Sequence, residues 1–350
     1  MKRRGWTLLI GAILVSLLTW QALSMRVAYV ALSPGVTYDT LGTYEYLDEN
    51  DEVQEVELVT ADPSVSTDSK GELRLTTVAI TREVELGRAI YYWFADDIAV
   101  VPRQLHIPDG KSDEEIDAEQ TEMWTSSQAA ATTVALRELG YPVDVTVSSV
   151  ESDSPSAGEL EDGDVVVSVD GEEVTSQQLL ADHVQELPVD AELALKVRRD
   201  GEEVDATARV IEAEDGVKGL SGVQVEPVQE DPYDFEITDE GLNVGGPSAG
   251  VVFALAMIDR VSEEDLTGGE VIAGTGTIDE EGVVGPIGGI EQKVVGAHAD
   301  GAEFFLTPEE NCAAAAANAP DGLTLVKISS VDDALQGLET LRDGGRPQTC

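Results

Sequence analysis

A serine becomes an acyl-transfer nucleophile where a base can take its proton and backbone donors can hold the oxyanion that forms. In this 350-residue chain, Gly241-Leu242-Asn243-Val244-Gly245-Gly246-Pro247-Ser248-Ala249-Gly250 runs into the apolar stretch Val251-Val252-Phe253-Ala254-Leu255-Ala256-Met257. The stretch predicts a buried helix, with Pro247 suited to its first position. Ser248 then stands at a helix amino terminus, where free N–H groups and the positive dipole end favour developing negative charge. Gly245, Gly246 and Gly250 leave room for a substrate backbone, and Ala249 adds an amide beside the nucleophile.

Such a serine needs a base, and His106, His183 and His298 are widely separated, with only His298 in the same segment. Lys293 lies in Gly282-Val283-Val284-Gly285-Pro286-Ile287-Gly288-Gly289-Ile290-Glu291-Gln292-Lys293-Val294-Val295-Gly296-Ala297, read as a turn and a helix after the strand Val271 to Ile278. Desolvation among apolar neighbours lowers a lysine pKa toward the roughly 7–8 useful to a general base. A neutral amine there would deprotonate Ser248. Taken singly, the first run also fits a tight loop into a buried helix, and Lys293 a solvated helix lysine. Asn243, Thr275 and Thr277 are nearby polar residues that also suit ordinary turns and strands.

Three runs in register carry a resemblance. Gly-Pro-Ser-Ala-Gly, then Pro-Ile-Gly-Gly-Ile-x-x-Lys, then Gly301-Ala302-Glu303-Phe304-Phe305-Leu306-Thr307-Pro308-Glu309-Glu310-Asn311 resemble the proteolytic domain of Lon-type serine proteases. The resemblance implies that Ser248 is the nucleophile and Lys293 the base, and that such domains assemble as homo-oligomeric rings. Upstream, Ser154-Pro155-Ser156-Ala157-Gly158-Glu159-Leu160-Glu161-Asp162-Gly163-Asp164-Val165-Val166-Val167-Ser168-Val169-Asp170-Gly171 resembles the middle of a bacterial protease-associated PDZ domain. It implies a groove that accepts an extended peptide, although Leu139-Gly140-Tyr141-Pro142 departs from the glycine-rich loop that captures carboxylates. A β-rich spacer that binds nothing is the plainer alternative. No Gly-x-x-x-x-Gly-Lys-[Ser/Thr] run occurs, so no ATPase accompanies these segments.

The elements that must position this chemistry follow. Val53 to Thr60 and Glu72 to Ile80 read as strands, Glu83 to Phe94 as a helix, and Ser112-Asp113-Glu114-Glu115 as the capped start of a longer helix ended by Gly140-Tyr141-Pro142. The segment containing them is read as scaffolding without chemistry. Four short strands between Val143 and Val210, with a helix at Ser176 to Gln185, form the PDZ-like part.

At the amino terminus, Lys2, Arg3 and Arg4 precede an uncharged, mostly apolar run from Gly5 to Met25, with Trp6 and Trp20 near its ends. At 1.5 Å per residue such a run spans a hydrocarbon core of ~30 Å, and the basic cluster stays cytoplasmic. Ala22-Leu23-Ser24 would also serve as a signal-peptide cleavage site, but the run exceeds a usual h-region. The sequence therefore places the remainder outside the cytoplasm. An oxidising exterior permits a bridge between Cys312 and Cys350, against the alternative of two unrelated thiols.

The expected fold is α+β and multidomain: an anchor over 1–26, a mixed α/β scaffold over 27–142, a PDZ domain over 143–212, a Lon-type α/β proteolytic domain over 219–342 and a tail over 343–350. With 69 acidic against 21 basic residues the net charge is −48, yet 42 % of residues are hydrophobic, too many for a disordered acidic chain. That charge disfavours nucleic acid as a partner and calls for salt screening, as in a halophilic source. Neither cofactor nor metal is expected, since no Cys/His cluster exists. The order of segments resembles membrane-anchored PDZ/Lon-like proteins of Gram-positive bacteria. It implies an extracytoplasmic serine endopeptidase that cleaves unfolded or flexible envelope proteins; the alternative is a non-catalytic PDZ scaffold that binds peptides and retains a Lon-like fold.

Overall fold

The computed structural model describes residues 2–48, 50–95, 97–105, 110–152, 154–212, 216–242 and 244–350, without the side chains of residues 2–5, 7 and 8. His106 and Asn243 lie outside the described residues. The chain divides into two compact units, one formed by Met1–Ala135 with Tyr233–Cys350 and the other by Leu136–Pro232.

The first unit is built on a six-stranded mixed sheet. Thr324–Ile328, Phe304–Pro308, Val271–Gly274 and Glu72–Thr81 run parallel in that order; Tyr29–Asp39 and Ala99–Pro102 continue it antiparallel. Residues 27–142, expected as a separate scaffold, thus supply half the sheet that holds the Lon-like segment. A strand such as Val271–Gly274, with Ile272 and Ala273 fully buried, needs a hydrogen-bonded neighbour on both edges, and Glu72–Thr81 is the one the downstream segment lacks.

The helix Gly250–Val261 is buried on every side from Gly250 to Arg260, as a run without polar periodicity dictates. Phe253, Leu255 and Met257 are fully enclosed, each contributing roughly 1.5–3 kcal/mol of transfer free energy. Trp124, on the helix Asp113–Glu138, packs edge-on against Phe253 at 5.2 Å between ring centroids and donates its indole N–H to Asp239 at 2.8 Å. That helix opens with a reciprocal cap. The Glu115 N–H reaches Ser112 Oγ at 3.2 Å and the Ser112 N–H reaches Glu115 Oε2 at 2.8 Å.

The amino-terminal helix spans Lys2–Leu23. Among the described residues no helix is long and apolar enough to cross a membrane. A shorter element than expected follows the strand Val84–Glu85: the helix covers Leu86–Tyr92 only, because Glu85 is extended and pairs with Arg26.

The second unit is an antiparallel sheet of seven strands around Val147, Val169, Leu193, Val197 and Val210. It extends past the expected 212 because Lys218–Leu220 and Val223–Val228 pair with the strands Glu202–Glu212 and Asp144–Val150 and close both edges. Its helix Gln177–Glu186 is capped by Ser176, whose Oγ accepts the Leu179 N–H at 3.1 Å. Gly140 and Tyr141 close the preceding long helix by donating to Arg137 and Leu136. Leu139-Gly140-Tyr141-Pro142 thus serves as a helix stop.

Candidate active site

Ser248 lies in the turn that enters the buried helix Gly250–Val261, with Ala249 as the capping residue. Pro247 is therefore outside the helix rather than at its first position. The chain is held there by three bonds: the Ser127 hydroxyl donates to the Pro247 carbonyl at 3.1 Å, and the Gly276 N–H and Thr275 hydroxyl both donate to the Ser248 carbonyl at 2.9 Å. The first-turn N–H groups of the helix have no intrahelical acceptor and face the same end as the serine; that of Val251 donates to the Gly276 carbonyl at 3.4 Å.

Lys293 comes from the helix Ile290–Ala299, whose entry requires a left-handed Gly289 at φ 71°. A Cβ at Gly289 would also sit 2.7 Å from Val78 Cγ2, so the glycine fixes how closely this helix meets the strand Glu72–Thr81. Asn311 pins the loop before it, accepting the Ile287 N–H at 2.9 Å and donating to the Ile287 carbonyl at 3.0 Å. At the far end Asp300 accepts from the Thr37 N–H and hydroxyl.

These constraints deliver the Lys293 amine to the serine. Nζ is 2.7 Å from Ser248 Oγ and 2.9 Å from Thr275 Oγ1, and the lysine is 3 % exposed. Burial without a charged partner pushes its pKa down to about 7. The amine is thus available in neutral form at ordinary pH, within reach of the proton it would take.

The glycines of this run have close neighbours. A Cβ at Gly250 would fall 2.4 Å from Ile278 Cγ2 and 2.8 Å from Ser127 Oγ, while Gly245 and Gly246 are crowded by Gln120. The Gly246 N–H is already spent on the Gln120 carbonyl at 3.0 Å. Side chains of the helix Asp113–Glu138 stand beside all three positions, joined at Gly250 by Ile278. Ala249 and Gly250 stand at the helix entry, as its cap and its first residue. An open groove of about 500 Å³ adjoins Pro247, between Glu122, Met123 and Ser127 on one wall and Ile278 to Glu281 on the other.

Of the polar residues noted in the sequence, Thr275 enters the site and Thr277 does not hydrogen-bond there; it pairs with Gly285 in a short hairpin. Gln120, Ser127 and Asn311 were missed as positioning residues. Nothing in their local sequence marks the first two, which lie more than a hundred residues upstream, whereas Asn311 stood inside the third resembling run. Cys312 and Cys350 form a disulfide.

A serine hydroxyl on a desolvated amine, beside a helix entry and an open groove, is an arrangement able to support a serine nucleophile with a lysine base. Residues 235–340 match the Lon protease (S16) C-terminal proteolytic domain, and residues 119–210 match a PDZ domain. Lon protease 1 of Sorangium cellulosum is 38 % identical over 100 residues, 28 % of this chain and 12 % of that protein. Lon protease 1 of Bacillus subtilis is 33 % identical over 117 residues, 32 % of this chain and 15 % of that protein. The chain thus spans less than a fifth of the length of these relatives. Among solved structures, the PDZ domain of an SdrC-like protein from Listeria monocytogenes is 24 % identical with a TM-score of 0.22, covering 23 % of this chain and 85 % of that one. The chain therefore carries a segment matching the Lon protease (S16) C-terminal proteolytic domain together with a PDZ domain.

Proposed function

We propose that the protein is a membrane-anchored serine endopeptidase whose catalytic domain works outside the cytoplasm on unfolded or flexible proteins. The observation that carries the catalytic part is the 2.7 Å approach of the desolvated Lys293 amine to Ser248 Oγ. Neutral Lys293 takes the Ser248 proton as Oγ attacks the scissile carbonyl. The helix-entry N–H groups near Ala249 stabilise the oxyanion, and the ammonium returns the proton to the leaving amine. Water, deprotonated by the same lysine, then hydrolyses the acyl-enzyme and frees Ser248.

Anchoring rests on 21 consecutive uncharged residues, Gly5 to Met25, bounded by Lys2-Arg3-Arg4 and Arg26. The acidic remainder would be exported, consistent with its disulfide. These 350 residues contain no phosphate-loop run, and flexible or already extended segments are the substrates that need no unfolding step. The PDZ domain would recruit them by strand addition, and a ring of copies would concentrate several sites on one membrane patch.

The test compares the full chain with Ser248→Ala and Lys293→Ala in high salt, using an unfolded protein substrate and mass spectrometry of the products. New peptide termini from the wild type alone are expected. Intact substrate with all three proteins folded by circular dichroism would leave a peptide-binding scaffold instead.

A further inference from the structure

The short helix Leu86–Tyr92 and the turn after it present a set of side chains that the protease chemistry does not use. Tyr91, Trp93 and Phe94 are 70 %, 69 % and 83 % exposed. The turn is ordered, with Trp93, Phe94 and Ala95 donating to Ala89, Tyr91 and Tyr92. Beside it lies an open groove of about 290 Å³ lined only by apolar and aromatic side chains, Tyr29, Ile90, Trp93 and Phe94 among them. Exposed rings clustered this densely normally have an apolar neighbour in the working state.

The position of the cluster identifies that neighbour. The Leu86 N–H donates to the Met25 carbonyl at 2.8 Å, and Gly87 lies against Leu23. The helix therefore hangs from the outer end of the uncharged run Gly5 to Met25, at the level where a bilayer crossed by that run would end. Tryptophan and tyrosine favour this level because the ring body is apolar and its N–H or O–H is wet. With a net charge of −48, the chain as a whole is repelled by anionic headgroups, which favours apolar contact with lipid over charge attraction.

We infer that Tyr91, Trp93 and Phe94 insert into the headgroup–acyl boundary of the outer leaflet and set the tilt of the catalytic unit on the membrane. This rests on the anchored reading above. The groove beneath the rings receives acyl chain ends rather than a peptide.

The chain has both natural cysteines bridged, so one introduced thiol can be labelled at a time. Phe94→Cys, Leu14→Cys and Leu47→Cys of the full chain, each carrying a nitroxide, are reconstituted in phosphatidylcholine vesicles. Collision with oxygen is compared with collision with a water-soluble nickel chelate. The oxygen-to-nickel ratio at position 94 should exceed that at Leu47, an exposed hairpin residue, by about tenfold, as for a residue buried some 5–10 Å below the surface. A lipid-protected position 14 with position 94 as nickel-accessible as 47 overturns the inference and leaves the anchor intact; accessibility at both 14 and 94 overturns the two together. Dipolar broadening between labels at 94, without an oxygen preference, would mean that a second copy covers the face and also refutes lipid contact. In Trp93→Ser/Phe94→Ser, with the label at Tyr91→Cys, the nickel collision rate should rise about threefold, and no change would count against insertion.

Discussion

Thr275 Oγ1 stands 2.9 Å from Lys293 Nζ while its own proton is committed to the Ser248 carbonyl, also at 2.9 Å. A hydroxyl whose hydrogen is spent can only accept from the amine. Thr275 therefore engages one Lys293 N–H and turns the lone pair of the neutral amine toward Ser248 Oγ, 2.7 Å away. Replacing it by valine keeps the shape and removes this steering. Thr275→Val should lower kcat about 10- to 100-fold, the scale for a misaimed catalytic group, with KM little changed. Thr275→Ser should recover most of the loss; equal damage from both variants would mean that packing of the methyl group, not the hydroxyl, matters.

The pH profile follows from the same lysine. Its base form is the neutral amine, and desolvation alone holds its pKa at about 7. Single-turnover rates on an unfolded substrate should rise about tenfold per unit below pH 7 and level off above it. At pH 6 the rate should be roughly a tenth of the plateau. A profile still climbing steeply through pH 9 would show an amine that stays charged, and would remove Lys293 as the base.

The 2.7 Å approach of Lys293 to Ser248 joins two residues that the sequence singles out, because helix-entry serines and lysines within apolar helices each follow from local pattern. What surrounds the pair was not legible there. Gln120 and Ser127 reach Gly246, Gly250 and Pro247 only because the helix Asp113–Glu138 crosses the site, and that contact joins residues over a hundred positions apart. The same holds for the sheet. The alternation in Glu72–Thr81 marks a strand but says nothing of its parallel pairing with Val271–Gly274, since period and composition fix an element's faces and not its neighbour. The neighbours of the three glycines are a related case: a missing Cβ makes room, but sequence alone does not tell which side chains stand beside it, here those of Gln120, Ser127 and Ile278.

Keeping Lys293 neutral costs stability, and the sign can be checked. The folded pKa is about 7 against an ordinary value of 10.5, so between those pH values the unfolded chain holds a proton that the native state lacks. Stability of the wild type should therefore rise with pH across that window, and the penalty is complete below pH 7. Lys293→Met removes it at similar volume. The ceiling of the gain is ~5 kcal/mol, at 1.36 kcal/mol per pKa unit, reduced to ~2 kcal/mol by the lost contacts to Ser248 and Thr275. Urea unfolding at pH 6.5 should show an inactive, more stable variant, with the advantage shrinking toward pH 10. A less stable variant at pH 6.5 would mean that the amine contributes more by hydrogen bonding than its burial costs.

The bridge between Cys312 and Cys350 closes a loop of 38 residues and lays the tail along the sheet edge. The Lys327 N–H donates to the Gln348 carbonyl at 2.9 Å, the Cys350 N–H to the Leu325 carbonyl at 3.2 Å, and Thr349 pairs with Val326. The tail thus covers the outer strand Thr324–Ile328, which would otherwise offer unpaired backbone to another chain. Loop closure of this length is worth ~4 kcal/mol in the chain-entropy account. Cys312→Ser/Cys350→Ser should therefore unfold at lower denaturant, by ~2–4 kcal/mol, and aggregate sooner on heating. Its kcat at 25 °C should hold, because Asn311, the neighbour of Cys312, keeps both of its bonds to Ile287 and with them the approach to Lys293. If the folded double variant instead loses activity, the bridge itself positions the Lys293 helix, and Asn311 does not suffice.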